Sequence, residues 1–178
     1  MKCVIVGDAP YAEEYIAGLK ELAANDQRII FTGYVFGNGY QELGSNAYVF
    51  VESSGVGGTH PALVEAMAFE NCVVTHNTPE NMETIGEAGF AYDGKVGARD
   101  LRRVLEELLN DPDKVESYRH KARQRAQSVY SWETVTDSYE RLFYQICARL
   151  PERLRCFRVE GLQIKKDFAR WRSERKIR

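Results

Sequence analysis

The chain has 178 residues, 44% of them hydrophobic, which is enough for one domain with its own core plus an appendage. No apolar run approaches the roughly 20 residues of a membrane span, and no signal-peptide pattern is seen. The four cysteines, Cys3, Cys72, Cys147 and Cys156, have no paired short spacing and stand apart from the three histidines. That argues against a zinc site or a disulfide framework and for reduced, buried thiols in a cytoplasmic chain. The net charge of −2 conceals an asymmetry: residues 1–148 hold 13 Lys and Arg against 22 Asp and Glu, whereas residues 149–178 hold 11 against 4. An acidic body with a basic tail implies two different surfaces.

Taken in chain order, residues 3–8 form a short apolar run closed by glycine and read as a buried strand. Pro10 then opens a helix with Tyr15, Ile16, Leu19, Leu22 and Ala23 on one face. Residues 28–33 are the next strand, residues 40–45 can form a short helix, and residues 47–51 are a third strand. That strand runs into a glycine-rich turn and a helix opening near Pro61. Residues 72–75 read as another buried strand, and residues 89–92 as a weaker one. Alternating strands and helices with near-continuous apolar strands predict an α/β, Rossmann-like parallel sheet covered on both faces. Three helices follow. One carries Leu101, Val104, Leu105, Leu108 and Leu109 and is stopped by Asp111-Pro112. The second carries Val115, Tyr118, Ala122, Ala126 and Val129. The third, with Ser131 as N-cap, carries Val135, Tyr139, Leu142, Phe143 and Ile146.

The chemistry concentrates in Ser53-Ser54-Gly55-Val56-Gly57-Gly58-Thr59-His60-Pro61-Ala62-Leu63-Val64-Glu65-Ala66-Met67-Ala68. A glycine loop at a helix start points backbone N–H groups at open space with the helix dipole behind them, a geometry that attracts phosphate. One turn inside the helix stands Glu65. Helical Cβ atoms lean toward the N-terminus, so its carboxylate can reach the mouth of the loop. Its apolar flanks predict partial burial, which requires a partner, and sugar or ribose hydroxyls can supply two donors to its two carboxylate oxygens. Each feature also has a plain structural explanation: a tight turn at 57–59, a capping Thr59 or His60, a solvated Glu65.

Residues 58–68 resemble the donor-site helix of the retaining GT-B glycosyltransferases of glycosyltransferase family 4. In that family two glutamates eight positions apart flank the helix start. The second matches Glu65, whereas the first would fall on Gly57. The Val-Gly-Gly-Thr-His-Pro version is similar to a subgroup of bacterial rhamnosyl- and related polysaccharide transferases. Residues 4–10 and 31–35, and Trp132 followed by Tyr139, look like further landmarks of the family's C-terminal, donor-binding domain, so the resemblance covers roughly residues 3–147.

The resemblance implies donor contacts from Gly33, Tyr34, Val35, Ser54, Gly57, Gly58, Thr59, Leu63, Val64 and Glu65, with His60 and Glu65 as candidate catalytic residues. Glu83 matches a further family acid, with helix capping as its plain alternative. No metal or cofactor is implied beyond the nucleotide-diphosphate sugar itself. The family's acceptor-binding N-terminal domain has no counterpart here. Nor does the strand and helix that open the donor domain and lie mid-sheet between residues 3–6 and 47–51. A gap in the sheet, or re-pairing, is expected, along with a fragment, a broken reading frame or one subunit of a split enzyme.

In the tail, Leu154, Phe157, Gly161, Ile164, Phe168 and Trp171 step by 3 and 4 among Arg and Lys. This reads as a basic amphipathic helix that meets a membrane surface or docks on a partner domain. Nucleic acid is disfavoured by the acidic body. Two functions follow: the donor-binding half of a glycosyltransferase that passes a sugar to a glycan or lipid-linked acceptor at the inner membrane surface, or a non-catalytic Rossmann-like module held by its tail.

Overall fold

The computed structural model describes residues 1–56 and 58–149, and the chain divides into two compact units, Met1–Tyr130 and Ser131–Arg178. The first unit runs β1 (Cys3–Val6), α1 (Glu13–Ala23), β2 (Ile29–Gly33), α2 (Asn38–Ser45), β3 (Val49–Glu52), α3 (Pro61–Ala68), β4 (Cys72–His76), α4 (Pro79–Ile85), β5 (Phe90–Tyr92), α5 (Ala98–Asn110) and α6 (Pro112–Val129). The second unit contributes α7 (Trp132–Arg149). The α/β alternation is as the sequence predicts. The expected amphipathic tail lies outside the described residues.

All strand pairs are parallel, but they form two sheets, β1-β2 and β3-β4-β5. Cys3 is in register with Ile29, Val49 with Cys72 and Val74 with Phe90. Of the two outcomes expected for the sheet, the gap is the one found. β1 and β3 each keep one unpaired edge.

β4 is the centre of the fold. Its β-branched run, Val73-Val74-Thr75, is fully buried. Successive side chains point to opposite faces, so each face meets its own cluster. Val73 packs with Leu63, Ala66, Met67, Ile85, Ala88, Ala122 and Ala126 beneath α3, α4 and α6. Cys72 and Val74 pack on the other side with Tyr92, Val104, Leu108 and Val115. Helix starts follow local chemistry: Pro61, Pro79 and Pro112 occupy first-turn positions. Thr78 accepts from the Asn81 amide at 3.3 Å and Asp111 from the Lys114 amide at 2.9 Å. In the second unit Ser131 caps α7 by accepting the Thr134 amide at 3.1 Å.

Three expectations are corrected. Residues 3–6 form a strand, but all four are exposed, with Val4, Ile5 and Val6 at 40%, 36% and 44%. β1 pairs on one edge only and no layer closes over it. Indeed, among the described residues nothing before Leu63 is buried. Cys3 is exposed for the same reason, whereas Cys72 is buried as expected and burial pushes its thiol up to about 11. Finally, α1 begins at Glu13 rather than at Pro10, with Ala12 as N-cap.

Candidate functional site

The loop 53–60 leaves the carboxyl end of β3 and enters α3, the end of a parallel sheet where ligands gather. Its base is anchored from two strands, β3 and β5, and from helix α4. The Ser54 amide donates to Glu52 Oε1 at 3.0 Å, and Tyr92 Oη donates to the Ser53 carbonyl at 3.5 Å. The fully buried Asn81 donates Nδ2 to the Ser54 carbonyl at 3.3 Å and to the His76 carbonyl at 3.1 Å. Further along, the Val56 amide donates to Ser54 Oγ at 3.3 Å. Gly58 sits at φ +123°, a region open to glycine and closed to most side chains. The fixed loop base and the exposed Gly55, Val56, Gly58 and Thr59 make an accessible backbone surface ahead of the helix. Gly57 is outside the described residues.

His60 is the N-cap of α3, and no side chain caps that helix, so neither His60 nor Thr59 does so. The imidazole instead closes the loop on itself, Nε2 lying 3.1 Å from the Val56 carbonyl. A carbonyl only accepts, so Nε2 carries the proton. The amides of Leu63 and Val64 both go to the His60 carbonyl, at 3.0 and 3.2 Å. The Leu63 side chain is fully buried in the core.

Glu65 is exposed, correcting the expected partial burial: α3 turns Leu63, Ala66 and Met67 inward, and Glu65 falls off that face. It has a partner nonetheless. Tyr40 Oη, from the first turn of α2, donates to Glu65 Oε2 at 2.6 Å. Burial first, and then the bond to Glu65, push the Tyr40 phenol up to about 12, so it stays a neutral donor near pH 7. This bond joins the two predicted loops, because α2 begins directly after 33–37. In that loop Tyr34 is 56% exposed and stacks on Phe36, ring centroids 5.9 Å apart. Val35 packs beside Gly39. Glu83 is an exposed residue of α4, and the expected capping role belongs to Thr78. The Glu83 carbonyl accepts from Arg125 at 2.6 Å.

Sequence reading missed Tyr40, Phe36, Glu52, His76 and Asn81. Asn81 carried a signal, as a polar residue inside a short helix beside a buried strand. Tyr40 carried none, because its bond spans 25 residues. Among the described residues no three His, Cys, Asp or Glu side chains are grouped to hold a metal ion, and no helix is long and apolar enough to cross a membrane.

Among solved structures, Anabaena Alr3699/HepE in complex with UDP is similar with a TM-score of 0.74 at 19% identity, covering 82% of this chain and 41% of that one. Sucrose-phosphate synthase from Thermosynechococcus elongatus is similar with a TM-score of 0.72 at 24% identity, covering 83% of this chain and 39% of that one. The C-terminal domain of the glycosyl transferase group 1 family protein LpcC from Francisella tularensis gives 0.58 at 18%, covering 74% and 70%. These likenesses establish the fold, that of a GT-B half, and this chain spans about 40% of the first two proteins' length. The comparison with curated proteins returns no match. The family model described as Glycosyl transferases group 1 matches residues 1–127, and the chain therefore belongs to that family.

Proposed function

We propose that this chain is the donor-binding half of a retaining glycosyltransferase of the family 4 type that uses a nucleotide-diphosphate sugar. The observation that carries this reading is an exposed glycine loop at the carboxyl end of β3 that leads directly into α3, one turn of which brings the chain to Glu65, its exposed carboxylate held by Tyr40. Loop amides and the helix dipole favour a diphosphate and the charge that develops on it as the sugar leaves. Glu65 accepts from ribose hydroxyls. Tyr34 and Phe36, exposed and stacked on the neighbouring loop, offer an aromatic face to the base. His60, closed onto Val56, holds the loop beside the sugar.

The acceptor in this reading is a glycan or lipid-linked sugar. A rhamnosyl-type or related donor, polysaccharide synthesis and a cytoplasmic, peripheral position at the inner membrane surface complete the reading. Structural support comes from the UDP complex of the similar Anabaena protein. The test is calorimetric titration of the folded chain with UDP, GDP and dTDP. Saturable binding of at least one supports the reading. No heat above dilution for any of them overturns it.

A further inference from the structure

Tyr40 is more than a tie between two helices. Its phenol meets Glu65 Oε2 at 2.6 Å, the short range of a hydrogen bond to an ionised acceptor. The ring is delivered by a rigid frame. At the far end of α2 the Gly44 carbonyl accepts from Asn71 Nδ2 at 2.8 Å, and the Phe69 ring lies so close that a Cβ on Gly44 would sit 2.8 Å from it. α2 is therefore fixed to the chain following α3 at one end and meets Glu65 at the other.

An exposed glutamate has three rotatable bonds and samples many rotamers. A stiff aromatic donor on an anchored helix selects one of them. The bond occupies one lone pair of Oε2, and Oε1 has no protein partner among the described residues. A carboxylate offers about four acceptor sites, so room for two hydroxyl donors remains.

We propose that Tyr40 is a positioning residue that presets Glu65 for a vicinal diol, and thereby sets the preference of this site for ribonucleotides. The proposal rests on the donor-binding reading above. The experiment is calorimetric titration of the full chain, as wild type, Tyr40→Phe, Glu65→Gln and the double variant, with UDP, GDP and their 2′,3′-dideoxy analogues. A thermal melt confirms that each variant is folded.

Tyr40→Phe should weaken the ribonucleotide that binds by roughly tenfold, the usual worth of a hydrogen bond to a charged group. It should leave the dideoxy analogue within about twofold and add nothing in the Glu65→Gln background. Equal weakening of both nucleotides overturns the proposal, as does additivity in the double variant, because a purely structural tie acts on both ligands alike. If folded wild-type chain binds neither ribonucleotide nor dideoxynucleotide, the donor-binding reading itself fails. If wild type binds both equally well, donor binding stands and the positioning role of Tyr40 falls.

Discussion

His76 is wedged against Gly94: a Cβ built on Gly94 would lie 1.7 Å from the imidazole Nε2. The same ring lies beneath Gly55, 3.6 Å from where its Cβ would be, and meets Tyr92 edge-on at 5.5 Å between centroids. The imidazole thus fills the space between the loop after β3 and the loop after β5. Gly94→Ala should cost about 1–3 kcal/mol by overpacking, read from denaturant unfolding. In a His76→Ala background that cost should shrink. An equal cost in both backgrounds would mean the ring is not what Gly94 accommodates.

Asn81 is fully buried and donates to two carbonyls, one on the loop and one on β4. Asn81→Leu leaves both acceptors without their donor, at a cost of roughly 1–3 kcal/mol. Hydrogen exchange should accelerate at the amides of residues 54–56 more than at those of β5. Uniform acceleration would assign Asn81 to the core rather than to the loop.

Glu70 follows α3 at φ +64° and accepts from Arg123 at 2.6 Å and His120 at 2.7 Å, tying α3 to α6. The Arg123 guanidinium, and then His120, hold its carboxyl below the usual range. A depressed folded-state value gives stability that is present above the unfolded-state value, near 4.3, and lost as pH falls through the folded one. Glu70→Gln should therefore lower the melting temperature at pH 7, with the gap from wild type narrowing as pH falls below the unfolded-state value. A gap independent of pH through the acid range would refute the ion-pair account.

The absence of any buried residue before Leu63 among the described residues has a dynamic consequence. Opening free energy follows burial, so the lobe β1-α1-β2 should open well before the β4 core. Native-state exchange at residues 29–33 should be faster than at residues 72–75 by several orders of magnitude. Comparable rates would mean the two sheets unfold as one unit.

Much of this fold was legible in the sequence because it is written locally. The helix opening near Pro61 and the buried strand Val73-Val74-Thr75 were read from such local signals, whereas α4, opened by Pro79, was not among the predicted elements. Burial of β1 was misread for the opposite reason. The run from Cys3 to Val6 has the composition of a central strand, but burial depends on neighbours that composition does not describe. At the site, Glu65 was found through its motif, yet its exposure was misjudged, because the apolar neighbours Leu63, Ala66 and Met67 turn to another face of α3. Tyr40, His76 and Asn81 act through contacts distant in sequence, and no local pattern announces them.

In the proposed function, loop 53–60, Glu65 and the 33–40 segment share one nucleotide-binding surface. Hydrogen exchange of the full chain with and without saturating nucleoside diphosphate reads this out amide by amide. Protection at amides 54–64 and 33–40 is expected. Protection confined to the open cavity between Glu87 and Ser128, or none at a concentration that saturates by calorimetry, would contradict it.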